Sequence, residues 1–287
     1  MADVAIAPAT TATAPAPPVA RNRGPASWTL RLIAVLYVGV LALVPVVVIL
    51  YRTFKPGLSE FFDALSNHNA LHAFEVSAIV AGIAVVINTV FGVGVGILLA
   101  RHRFPGKRLL SAFVDLPVAV SPIVVGLALL LVYGPSGWFG PTLDDHGFQV
   151  IYAKPGMVLA TVFVSLPLVV RAVVPVLEQA GTDQEQAASS LGANAVARFL
   201  RITLPTIRVA LTYGVVLSLA RCLGEYGAVL VVSGNIEGQT ETAPLRISNL
   251  LENEQDPNGA YAITFVLIVV AFLAIVAGAW IRRRGRV

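Results

Sequence analysis

Between two long apolar stretches the chain reads Thr182-Asp183-Gln184-Glu185-Gln186-Ala187-Ala188-Ser189-Ser190-Leu191-Gly192 and, after nine further residues, Ile202-Thr203-Leu204-Pro205. Thr182 followed three positions later by Glu185 fits a capping box. In it the hydroxyl accepts an amide hydrogen bond and the carboxylate reaches back, so a helix is expected to start here. Ala187, Ala188 and Leu191 give that helix a small apolar face, and Gly192 can take the left-handed conformation that ends it. A second amphipathic run, Asn194 to Ile202, is expected to stop at Pro205. The expected product is a short, exposed, self-capped helix. It is either a connector lying on a membrane surface or a docking element whose alanines let a partner approach the backbone.

The flanking stretches set the fold class. Hydrophobic residues make up 56% and charged residues 13% of the chain, and the mean hydropathy is +0.79; in a soluble domain about a quarter of residues are charged. Six apolar stretches, at 30–51, 76–100, 109–133, 156–177, 207–233 and 260–281, reach the ~20 residues a helix needs to cross ~30 Å of hydrocarbon. Lipid satisfies no free backbone groups, so an all-α membrane protein with six transmembrane helices is predicted.

Charge orients the bundle. With the N-terminus inside, four of the 20 Lys and Arg (Arg52, Lys55, Lys154, Arg246) fall outside, Arg221 falls within a span, and the other fifteen fall inside. Both termini are therefore expected in the cytoplasm. The same spread over inner loops explains a pI near 9.5 without nucleic acid. Residues 1–26, rich in Ala, Pro and Thr, are expected to be a disordered cytoplasmic tail, and 27–287 a six-span domain with its exposed loop at about 178–206. The run from Leu30 to Tyr51 is too long for a signal-peptide core, so the first span is retained. A lone cysteine, Cys222, precludes an intrachain disulfide.

Several chemistries are excluded. Gly106-Lys107 lacks the upstream glycine and following Ser or Thr of a phosphate loop. Gly92, Gly94 and Gly96 sit inside a span, where small residues allow close helix contact. His68 and His72 have helical spacing but no third ligand, and His102 and His146 are elsewhere. Arg221 and Glu225 stand out instead. Counting from Ile207 they lie ~21 and ~27 Å along the fifth span, inside the hydrocarbon. One turn apart, they are expected to pair, either holding helices together or lining a path. Asp115, near the inner end of the third span, is expected to snorkel or to meet loop arginines. Pro117, Pro122, Pro167 and Pro175 are expected to bend the third and fourth spans.

The spacing of Gln186-Ala187-Ala188, Gly192, Ile202 and Leu204-Pro205 resembles the EAA loop of ATP-binding-cassette importer permeases. The departure is Gln186, where the family usually has glutamate; Glu185 precedes it. Two further stretches resemble the sulfate and molybdate branch: Arg221-Cys222-Leu223-Gly224-Glu225-Tyr226-Gly227-Ala228, and Val231 to Leu245. Asp115-Leu116-Pro117 with Val120-Ser121-Pro122 and Gly126 is most similar to the W-type sulfate/thiosulfate permeases. The resemblance implies a type I importer permease in the cell (inner or plasma) membrane, not itself an enzyme. The anion would be sulfate or thiosulfate, with molybdate or tungstate as the alternative. Implied partners are a second related permease, two ATPase subunits that hold the ATP and Mg, an external sulfate-binding protein and membrane lipid, but no nucleic acid. No cofactor would bind the chain directly. It also implies that Thr182, Glu185, Gln186, Ala187, Ala188, Leu191, Gly192, Ile202, Leu204 and Pro205 couple to the ATPase. Ser121, Pro122, Arg221, Glu225, Tyr226 and Gly227 would belong to the substrate pathway.

Three rivals remain. An intramembrane enzyme would need a nucleophile and base or a metal set, which Arg221, Glu225 and Asp115 do not make. A secondary transporter driven by protons through Glu225 would not need a loop of this spacing. A scaffold subunit would assemble partners without moving anything.

Overall fold

The computed structural model describes residues 25–253 and 255–284. Residues 1–24 of the expected tail, and Arg286, lie outside the described residues. The described regular structure is helical: α1 (Pro25–Phe54), α2 (Leu58–Ser66), α3 (His68–Arg101), α4 (Lys107–Ala119), α5 (Pro122–Tyr133), α6 (Gly140–Asp145), α7 (Lys154–Ala180), α8 (Asp183–Ser190), α9 (Ala195–Arg198), α10 (Leu204–Leu223), α11 (Gly227–Ser233), α12 (Ala243–Glu252) and α13 (Pro257–Arg284). Up to Val48 the described chain is the single helix α1, and from Ile49 onward it forms one compact unit. Five segments are long and apolar enough to cross a membrane: Trp28–Phe54, His68–Arg101, Lys154–Ala180, Ala195–Leu223 and Pro257–Ile281. The bent pair α4–α5 makes a sixth if it counts as one span.

The second unit is built on α3 against α7. Asn88 Nδ2 donates to Ser165 Oγ at 2.7 Å. A Cβ on Gly92 would sit 2.8 Å from Val169 Cβ, and one on Gly96 would sit 3.4 Å from Val173 Cγ1. Each partner is 77 positions further along the chain, and the contacts recur every four residues, so the two helices run parallel with one ridge interlocked. Glycine is required at Gly92 because any side chain there meets Val169 at its branched, inflexible carbon. Gly94, two residues on, faces open space. α10 then packs on α7 in the opposite sense: Gly214 lies against Ala172, while Cys222 Sγ donates to Ser165 Oγ at 3.2 Å.

Parallel α3 and α7 need a return crossing between them, and the chain makes it through a break. The expected continuous third span, 109–133, is instead α4 and α5, with axes bent by 113° at Val120-Ser121. Pro122 has no N–H to give and occupies the first turn of α5, where none is required. Pro117 stays within α4, and Pro167 and Pro175 within an uninterrupted α7. The expected fifth span, 207–233, is corrected too. Helix runs from Ala195 to Leu223, stops, and resumes at Gly227 as α11.

Pro205 does not break its helix as expected. Residues Phe199–Thr203 form one π turn, in which Leu204 N–H donates to Phe199 O. A proline crowds the carbonyl four residues before it, here Arg201, and the wider turn relieves that crowding without ending the helix.

Gly92→Val is expected to destabilise the subunit by ~1–3 kcal/mol or more through overpacking against Val169. Gly94→Ala should leave it unchanged or slightly more stable, since alanine is the better helix former. Thermal unfolding followed by size-exclusion recovery of the detergent-solubilised protein distinguishes the two.

Candidate functional site

The loop between α7 and α10 has the expected ends but different chemistry inside. Thr182 is the N-cap of α8, yet its side chain makes no capping bond to the backbone. Gln186 Nε2 donates to Thr182 Oγ1 at 2.7 Å instead. The capping box fails because Glu185 is drawn elsewhere: its Oε1 accepts from Arg101 Nη2 at 3.1 Å and from Thr203 Oγ1 at 2.9 Å. Arg101 Nη1 also donates to Leu177 O at 2.7 Å. One guanidinium therefore joins the last turns of α3 and α7 to α8, and Glu185 carries the link into the π turn before α10.

The other end of α8 is closed by its backbone. Gly192 has φ +85°. Its N–H donates to Ser189 O, and Ala193 N–H donates to Ala188 O. These are the two bonds of a Schellman end, which satisfy the last carbonyls of the helix. Asn194 then caps α9 by accepting from Ala197 N–H at 2.8 Å. Leu191 is 89% exposed, with Val196 and Leu200 also exposed, and Ala187 is open to solvent. Ile202 and Leu204 are half-buried and Thr203 is buried beneath them. The amphipathic run thus turns an apolar edge outward at an end of the bundle rich in Arg198, Arg201 and Arg208.

The second cluster surrounds the break between α10 and α11. Arg221 Nη1 lies 2.8 Å from Glu225 Oε2, with the arginine side chain 40% exposed and the glutamate 2%. Glu225 is not one turn further along a continuous span as expected. It sits in the break, and its Oε1 accepts from Ala228 N–H at 3.1 Å in the first turn of α11. Tyr226 OH lies 3.1 Å from Ser248 Oγ, which ties the break to α12. A Cβ on Gly227 would lie 3.3 Å from Pro122 Cβ and 3.1 Å from Ile123 Cγ1. The break in α10–α11 therefore rests on the break in α4–α5, bringing Pro122, Glu225, Tyr226 and Gly227 together, while Ser121 is exposed at the head of α5.

Two groups of residues escaped the sequence. Arg101 and Thr203 hold Glu185, but nothing in a helix-terminal arginine or a loop threonine announces that partnership. Asp115 meets no loop arginine: its Oδ1 accepts from Arg171 Nε at 2.8 Å, within α7. Arg246, expected on an outer loop, is buried in α12, 3.0 Å from Glu237 Oε1 and 3.8 Å from Glu241 Oε1. Near it Ala243 N–H donates to Ser77 Oγ at 2.8 Å, fixing α12 to α3.

Residues 92–287 match the family described as binding-protein-dependent transport system inner membrane component. The sulfate transport system permease protein CysW of Synechococcus elongatus is 46% identical over 223 residues, 78% of each chain. CysT, the sulfate transport system permease protein of Salmonella typhimurium, is 36% identical over 240 residues, 84% of this chain and 86% of its own. Among solved structures, a bacterial alginate ABC transporter in complex with its alginate pentasaccharide-bound periplasmic protein superposes with a TM-score of 0.74 at 14% identity, covering 90% of this chain and 94% of that one; at that identity the likeness speaks for the fold. With the family match covering most of its length, the chain belongs to the binding-protein-dependent transport system inner membrane components.

Proposed function

We propose that this chain is the W-type permease subunit of an ATP-driven importer for sulfate and thiosulfate. The observation that carries the coupling part is the Arg101–Glu185–Thr203 link, which ties an outward-facing, Gly192-ended helix to α3, α7 and α10 at once. The anion follows from the likeness to CysW, whose name specifies sulfate. The partners are a related permease of the CysT kind, two ATPases that hold ATP and Mg, and an external sulfate-binding protein. The parallel course of α3 and α7 supports six spans, because the segment between them must cross once. The charge bias then puts both termini and the loop inside.

Closure of the ATPases would move α8. The Arg101 and Glu185 contacts pass that movement to the inner ends of α3 and α7, and the π turn passes it along α10 to Arg221. Facing outward, the bundle receives the anion from the binding protein, and hydrolysis resets it. A dianion crossing hydrocarbon must exchange water for donors, and Arg221 offers a partly exposed guanidinium on a buried carboxylate. Glu225 is held in place by an ion pair from Oε2 to Arg221 and by Ala228 N–H at Oε1.

Radiolabelled sulfate uptake in a deletion strain, with and without this subunit, tests the reading, with thiosulfate and molybdate as competitors. Restored sulfate uptake that thiosulfate suppresses supports it. No sulfate uptake above that of the deletion strain, with labelled molybdate taken up instead, assigns the other anion.

Gly192→Val should cost ~1–2 kcal/mol in the left-handed conformation, although no neighbour lies within 4 Å of the added Cβ. ATPase copurification or uptake should fall several-fold while the protein still inserts. Glu185→Gln, which keeps the shape and weakens the Arg101 link, should retain the ATPase yet lower substrate-stimulated ATP hydrolysis in liposomes. Arg221→Gln should abolish uptake with the complex still assembled; normal transport by that variant would make the residue structural.

A further inference from the structure

Arg171 and Asp115 form a second charged pair that neither the coupling loop nor the Arg221 cluster uses. α7 has 27 residues, ~40 Å of helix, and Arg171 lies nine residues, ~14 Å, before its last. With ~30 Å of hydrocarbon centred on that helix, the guanidinium is ~9 Å inside the boundary, so Arg171 lies within a span and not on the inner side, where the charge count placed it. Yet the side chains are 53% and 46% exposed. An ionised pair half open to acyl chains is strongly unfavourable, so this face of the subunit meets water or protein.

The neighbours narrow the choice. The side of α7 carrying Val169 and Val173 is filled by α3, and Ala172 is covered by α10. Arg171 instead opens on a cleft of about 220 Å³ between α4 and α7, whose polar lining includes Lys107, Ser111, Asp115 and Glu178. Asp115 engages only Nε. Among the described residues neither Nη group has a hydrogen-bond partner, which leaves both donors for a planar or tetrahedral oxyanion taken side-on.

Arg171 is also placed to follow Arg221. Cys222 bonds to Ser165, so Arg221 is level with a residue six positions, ~9 Å, before Arg171 on α7. The bent element joins both places: α4 supplies Asp115, and seven residues later Pro122 rests on Gly227, two residues from Glu225.

We propose that Arg171 and Asp115 line the inner half of the translocation path, as a second contact for the anion after Arg221. Arg171 Nη groups take the dianion, and Asp115 keeps the contact weak enough for release. The anion's identity rests on the function proposed above; the placement of the pair on a water-filled path does not.

The test uses the complete complex in inside-out vesicles, with Arg171→Cys in a Cys222→Ala background and a membrane-impermeant sulfonate thiol reagent. The thiol at position 171, the only one left in this subunit, should label from the inner side, and sulfate should slow that labelling. In uptake, Arg171→Gln should fall at least tenfold with normal assembly, and Arg171→Lys should recover part of it. Asp115→Asn should lower both the half-saturating sulfate concentration and turnover. No labelling in an assembled complex would place the pair against lipid or the partner permease and overturn the proposal. Wild-type uptake by Arg171→Gln would do the same. If the wild-type complex moves another oxyanion and not sulfate, the sulfate reading fails, while the labelling still decides the path.

Discussion

The close approach of α3 to α7 is the contact on which the rest of this bundle depends. It rests on three residues at four-residue intervals, the hydrogen-bonding Asn88 and the glycines Gly92 and Gly96, against Ser165, Val169 and Val173. In a bilayer, where burial from water does not drive helices together, such backbone proximity and the hydrogen bond within it are what hold two spans in register. Because the two run in the same direction, their last turns end side by side, and Arg101 can reach Leu177 O. The connecting chain has to return across the bundle. That requirement places the broken α4–α5 element beside both α7 and α11.

Three acidic side chains then divide distinct tasks according to their surroundings. Glu185, mostly buried between Arg101 and Thr203, acts as a strut between the exposed loop and the spans. Glu225, almost fully buried, stabilises the start of α11 while restraining Arg221. Asp115 is half open, so its hold on Arg171 is the most exposed to water of the three. In the proposed mechanism the buried Glu185 link transmits movement, and the half-open Asp115–Arg171 pair meets the passing anion.

Helix interruptions place these groups. The chain leaves regular α-helix at Val120-Ser121, at Phe199–Thr203 and at Gly224–Tyr226. The first two have a local cause, proline at Pro122 and proline at Pro205, and the third falls at Gly224-Glu225-Tyr226 between two helices. The first and third meet at the contact of Pro122 with Gly227. A shift in α4 would therefore be felt next to Arg221.

The sequence by itself determined the helical membrane class, the approximate position of most spans, the Gly192 helix end and the pairing of Arg221 with Glu225. These follow from hydropathy, from the conformational freedom of one glycine and from groups four residues apart, all local properties. It did not determine that Glu185 would abandon Thr182 for Arg101, that Asp115 would find Arg171, or that Arg246 would be buried. Those partners lie 84, 56 and 9 or fewer positions away, and even the nearest depends on how α12 packs. Nor did it reveal that Pro205 is absorbed by a π turn or that the third span bends sharply, because proline dictates only that a backbone bond is lost. Where the chain goes after losing it was decided by tertiary packing, above all by the parallel α3 and α7 that the intervening segment must connect.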